Sequence, residues 1–215
     1  MPNHVTNKIS APADVLRSLL NDDGYVDFNK IRPFGGTFEW NGINCDAETA
    51  AEAVTRQPLD DNPLLAALQN SNRNNVDVLA MQDECFEQFV QMLRNKRTCG
   101  YFHQMDFARA MWGTKWNAYD QQIDLEAGMV KFDTAWSCPV PVLLALSELH
   151  KDAEITVNFA DEDLGSNCGT MVLKSGQIAC KDVAGNWNAM SDKDRKKWTE
   201  FARALKGWDL AEDEE

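Results

Sequence analysis

Two neighbouring strings decide how this chain is read: Trp112-Gly113-Thr114-Lys115-Trp116-Asn117-Ala118-Tyr119-Asp120 and Phe132-Asp133-Thr134-Ala135-Trp136-Ser137-Cys138-Pro139-Val140-Pro141. They hold three of the seven tryptophans, a tight Gly-Thr turn and two prolines spaced to open a helix. Indole buries a large area and its N–H needs an acceptor. Trp112, Gly113, Trp116, Trp136, Pro139 and Pro141 therefore read as the structural centre of the fold. Trp136 reads as core, and Ser137 as the cap of the helix opened by Pro139 and Pro141.

On the N-terminal side, Val5, Asn7 and Ile9 alternate with Thr6 and Lys8 as a strand. Pro12 opens a helix with Val15, Leu16, Leu19 and Leu20 on one face, and Tyr25 to Ile31 reads as the next strand. Pro33, Gly35, Gly36 and Gly42 mark a loop. Helices follow at 46–56 and from Pro63, then a polar break at Asn70 to Asn75. The strongest helix spans Val76 to Arg97, with a further one over Tyr101 to Met111. On the C-terminal side, Ile123 to Trp136 is strand or a hairpin bent at Gly128. After the proline-initiated helix come strands at 154–159, 170–174 and 178–182. Ser191 and Asp194 have capping-box spacing for a last helix. Its apolar stripe is Trp198, Phe201, Ala202, Leu205 and Trp208.

The order is strand–helix–strand, a helical block, then strand–helix–strand–strand. This predicts an α+β fold: a ferredoxin-like antiparallel sheet, a helical insertion between its halves, and a C-terminal helix. The expected organisation is a single domain over 1–208, with sheet halves at 1–44 and 112–190. The insertion takes 45–111, the last helix 191–208, and a disordered acidic tail 209–215.

The 215 residues carry a net charge of −13, with −5 in the last seven residues and +3 in Lys181 to Lys206, leaving −11 in the first 180. Such a body repels nucleic-acid phosphates and anionic membranes. It suits solubility, a basic partner, or mimicry of nucleic acid. No apolar run reaches spanning length. Six cysteines without zinc or C-x-x-C spacing point to free thiols in a reducing cytoplasm.

The strings Trp112 to Ala118 and Phe132 to Ser137 resemble the Api-type phage and plasmid proteins, a family of unknown function with a ferredoxin-like C-terminal domain. A looser likeness runs through Pro141-Val142 and Leu146-Ser147 to Gly169, and takes in Pro2-Asn3 and the loop at Pro33. Met111 and Cys138 depart from the family pattern, where a polar residue and a proline are expected. The resemblance implies a mobile-element origin and action inside a bacterial host, with no assigned chemistry.

No catalytic, cofactor or metal signature stands out, so no catalytic residue, cofactor or metal is assigned. His103 and Asp106, one helical turn apart, read as a surface pair. Asp161-Glu162-Asp163 resembles a calcium loop but lacks its later glutamate, since Val172 holds that place. It reads instead as an acidic hairpin tip. The expected partner-binding residues are Asp161, Glu162 and Asp163, with Lys115 and Asp120 beside the indoles. The expected function is binding of a host protein with a basic surface, such as inhibition of CRISPR or restriction. Two alternatives are an enzyme or small-molecule site near Trp112 to Pro141, and nucleic-acid binding through Lys193, Arg195, Lys196 and Lys197.

Overall fold

In the computed structural model, which describes residues 3–208, the two tryptophan-bearing strings lock together. Trp112 is 1% exposed, and its indole N–H donates to the Arg32 carbonyl at 2.8 Å. Gly113 adopts φ +82°, and a Cβ there would run into the Pro141 ring. Thr114 Oγ1 donates to the Ala135 carbonyl, and Ser137 Oγ to that of Gly113. The Ser137 hydroxyl is thus spent on the Gly113 turn. It does not cap the helix, whose N-cap is Pro139.

Six strands form one sheet: β1 (His4–Ser10), β2 (Tyr119–Asp124), β3 (Met129–Ala135), β4 (Ile155–Ala160), β5 (Cys168–Lys174) and β6 (Gln177–Val183). Their order is β2-β3-β1-β4-β5-β6, and every pairing is antiparallel. The first four strands of the chain, in the order β2-β3-β1-β4, have the ferredoxin-like arrangement. Helix α1 (Ala13–Arg17) lies in the crossover from β1 to β2. Helix α6 (Val140–Leu149) lies in the crossover from β3 to β4. Hairpins then add β5 and β6 to the β4 edge. Along β1, Val5 and Ile9 are buried on one face with Val130 and Phe132 of β3 and Val157 of β4. Phe28 meets both Phe132 and Trp112 edge-on at 5.7 Å, a favoured aromatic geometry.

Helix α7 (Asp192–Lys206) covers part of the opposite face. Its Trp198 and Ala202 pack with Ala160 of β4 and Cys168 of β5. Ser191 is its N-cap: Oγ accepts from Asp194 N at 3.2 Å and donates to the Asp194 carboxylate at 2.7 Å. The Ser191 cap read from the sequence is therefore formed, with Asp194 bonded to the cap hydroxyl rather than to the backbone N–H of a capping box. Trp208, expected in the same stripe, is exposed beyond the helix end.

The chain divides into two units, Met1–Pro33 with Ala108–Glu215, and Phe34–Phe107. The expected acidic tail at 209–215 lies outside the described residues. The second unit holds α2 (Cys45–Val54), α3 (Pro63–Asn75) and α4 (Asp83–Cys99), and most of its buried side chains belong to α2 and α4: Ala47, Ala50, Ala51, Cys85, Phe89 and Met92. Helix α5 (Gln104–Met111) begins in this unit.

Four further local expectations give way. Tyr25 to Ile31 is not a strand: a single bridge joins Val26 to Leu20, and Phe28–Lys30 is a 3-10 turn. The cause is Asp27, whose carboxylate accepts from Asn29 N at 2.9 Å and from the Asn117 amide at 2.7 Å. The predicted helix at Val76 begins only at Asp83, because the Asp77 side chain caps a separate 3-10 turn at Val78–Ala80 and leaves Leu79 95% exposed. The polar run Asn70 to Asn75 continues α3 rather than breaking it. Trp136 is not core: it is 53% exposed, with φ +71°.

Candidate binding site on the open half-sheet

Strand periodicity creates the site. Residues that alternate with the buried face of β1 and β3 project to the other side, where Thr6 pairs with Asp133 and Lys8 with Lys131. Helix α7 covers this side over β4 and β5. Over β2, β3 and β1 the sheet presents a polar surface with a cavity of about 360 Å³. His4, Thr6, Asp120, Gln122, Lys131, Asp133, Glu162, Lys206 and Trp208 line it.

The walls are held by specific bonds. The register shifts between Tyr119 and Gln122, and Asp120 takes φ +48° there. Such a bulge re-aims a side chain at a sheet edge. Tyr119 OH lies 2.9 Å from His4 Nδ1, with the rings edge-on. Burial, then the charges of Asp133, Asp120 and Glu162, push the Tyr119 phenol up to about 12. It therefore keeps its proton at neutral pH. Lys206 Nζ donates to the His4 carbonyl at 3.1 Å and to Thr6 Oγ1 at 3.3 Å. Burial lowers the Lys206 pKa, and the fields of Asp133, Glu162 and Asp161 only partly restore it. Its ammonium also lies 4.9 Å from the Trp208 ring centroid.

The sequence-predicted partner residues separate. Asp161 is buried, with Oδ1 accepting from Asn3 Nδ2 at 3.1 Å and from Asp163 N at 3.2 Å, and Oδ2 from Asn167 Nδ2 at 2.7 Å. It ties the start of the chain to the loop after β4 rather than standing at a tip. Glu162 and Asp163 are exposed, and Glu162 joins Asp120 at the cavity. Lys115 stacks over Trp116 at 4.9 Å and does not line the cavity. Asp120 and Asp133, pocket residues of the small-molecule alternative, meet at this cavity without His103 or Lys115, whereas Lys206 is assigned to no site by the sequence. Asp133 had a detectable signal in its outward parity beside Phe132, whereas Lys206 had none.

Two other constellations resolve as structural. His103 is buried, not part of a surface pair: its Nδ1 accepts from Asp106 N at 3.1 Å and its Nε2 lies 3.0 Å from Glu48 Oε1. The Asp106 carboxylate reaches back to Phe102 N at 3.0 Å, so the two residues cap α5 between them. Ser18 Oγ lies 3.0 Å from His150 Nε2, the spacing of a nucleophile and its base. Its hydroxyl proton goes to the Val15 carbonyl at 2.6 Å, however, so Ser18 accepts from the imidazole and cannot be activated by it. Burial raises the Cys138 and Cys168 thiols, Cys168 to about 11, which keeps both protonated and unreactive. On α7, Arg195 pairs with Asp192, Lys196 with Glu200 and Lys197 with Asp182. Among the described residues no group of His, Cys, Asp and Glu is arranged to hold a metal ion, and no helix is long and apolar enough to cross a membrane.

The split βαββαβ core, widened by a β5–β6 hairpin and backed by α7, defines a ferredoxin-like α+β domain. Residues 115–201 match the family model described as the ferredoxin-like domain in Api92-like protein. The likeness to the Api-type proteins read from the tryptophan strings is thereby borne out. The crystal structure of protein api92 from Yersinia pseudotuberculosis is similar, with 10% identity and a TM-score of 0.43 over 86% of this chain and 99% of that one. No curated protein matches the chain.

Proposed function

We propose that this protein acts by binding a macromolecule with a basic surface, and that the open half-sheet is its contact face. The carrying observation is the concentration of Asp120, Asp133 and Glu162 on one exposed face of a chain with net charge −13. Complementary charge of this kind speeds encounter and selects partners. The family likeness suggests a mobile-element setting. There the partner would be a host protein with a basic nucleic-acid cleft, and the protein an inhibitor of CRISPR or restriction. The pairing of Arg195, Lys196 and Lys197 with acids of the same chain favours this reading over direct nucleic-acid binding.

The test is capture from bacterial lysate by the immobilised protein at low and moderate salt, beside Asp120→Asn/Glu162→Gln/Asp163→Asn. A basic partner retained by the wild type and released by the triple variant is expected, with binding that weakens as salt rises. Equal capture by both proteins would refute the contact face, and absence of any specific partner would refute the function.

A further inference from the structure

Opposite charges line the half-sheet cavity without neutralising one another. Asp120, Asp133 and Glu162 share it with Lys131 and Lys206. Among the described residues, no ion pair joins any of these carboxylates to either lysine. The scaffold keeps them apart. Lys131 and Asp133 leave β3 from the same face two residues apart, and Asp120 is re-aimed by the β2 bulge. The Lys206 ammonium is tethered to His4 O and Thr6 Oγ1. An ammonium has three N–H donors, so the tether leaves Lys206 one to offer. Separated charges, three of them on strands and Lys206 tethered to β1, with bonding capacity left over, are preorganised for a ligand that carries both signs.

Charge and size narrow the class. Three carboxylates and two ammonium groups leave the wall one net negative charge. The complementary ligand carries two cations and one anion. A simple anion would meet a net negative wall, and a polyamine would leave both lysines unanswered. The cavity, about 360 Å³, takes a molecule the size of an amino acid or dipeptide. Trp208 adds an aromatic wall, against which a guanidinium packs well.

We propose that this cavity binds a basic α-amino acid, or a dipeptide ending in one. The carboxylate lies on Lys131 and Lys206, and the two cations lie among Asp120, Asp133 and Glu162. This is a small-ligand site and stands whether or not a macromolecular partner exists.

The full chain would be titrated with L-arginine at low salt, by calorimetry and by tryptophan fluorescence. Agmatine, which is arginine without its carboxylate, is the matched control. Saturable arginine binding is expected, with agmatine weaker by about tenfold or more, the value of one charge-assisted hydrogen bond. Lys131→Met should reduce arginine binding towards the agmatine level and leave agmatine binding no weaker. Asp133→Asn should weaken both ligands. Lys131 takes no part in the Lys206 tether, so its variant tests the site without loosening α7; thermal melting checks that it folds. No saturable arginine binding by the wild type, equal binding of the two ligands, or unchanged arginine affinity in Lys131→Met would each overturn the proposal.

Discussion

The three tryptophans of the two strings have the same side chain and different duties. Trp112 is buried with its N–H bonded, whereas Trp116 and Trp136 are exposed. Trp112→Ala should therefore cost about 3–5 kcal/mol in chemical denaturation, and Trp116→Ala less than about 1 kcal/mol. Gly113→Ala should be nearly as damaging as the loss of Trp112. A left-handed alanine costs about 1–2 kcal/mol and a clash with Pro141 adds about 1–3 kcal/mol. Tyr119 gives a pH signature. Its phenol is raised in the folded protein from 10.0 to about 12, so the stability it contributes is complete below pH 10.0. That contribution is lost as pH rises through the folded value. Tyr119→Phe should flatten the stability curve in this alkaline window, and ultraviolet titration should show one of the three tyrosines ionising late.

At the level of elements, the helices of the inserted unit divide by what covers them. Helix α4 buries Phe89 and Met92, while α3 buries no residue and leaves Leu64, Leu65 and Leu68 exposed. Met92→Ala should cost about 2–5 kcal/mol, and Leu64→Gln should stay within about 0.5 kcal/mol in the same assay. Strands β1, β4, β5 and β6 and the capped start of α7 were legible because alternation and capping chemistry are local. The segment from Tyr25 to Ile31 was misread for the opposite reason. Its alternation of Val26 and Phe28 is that of a strand, but Asn117, 90 positions away from Asp27, supplies the side chain that helps hold a turn. Leu79 likewise fits a helical stripe, yet the Asp77 side chain caps a separate short turn there.

At the level of the molecule, the helical unit Phe34–Phe107 is an insertion whose flanking segments meet in the sheet unit. Trp112 bonds to the Arg32 carbonyl, and Arg32 Nη1 lies 3.7 Å from Met111 Sδ. Replacing residues 34–107 by a short Gly-Ser linker should leave a chain that still melts cooperatively with a strand-rich circular dichroism spectrum, at a lower temperature than the parent. A non-cooperative melt would show that the sheet unit needs the insertion to fold.

By itself the sequence determined the α+β class, the inserted helical block, the tryptophan-centred lock and the acidic charge, because periodicity, proline and glycine placement and composition act locally or add without regard to position. Only the tertiary structure decided which tryptophan is core, that Asp161 is a buried tie, and that a mixed-charge cavity exists at all. That cavity draws on β1, the β2–β3 hairpin, the loop after β4 and the end of α7, with Thr6 and Lys206 in contact across 200 residues. No local pattern encodes such a meeting; it follows from the antiparallel order of the sheet and from the line along which α7 crosses it.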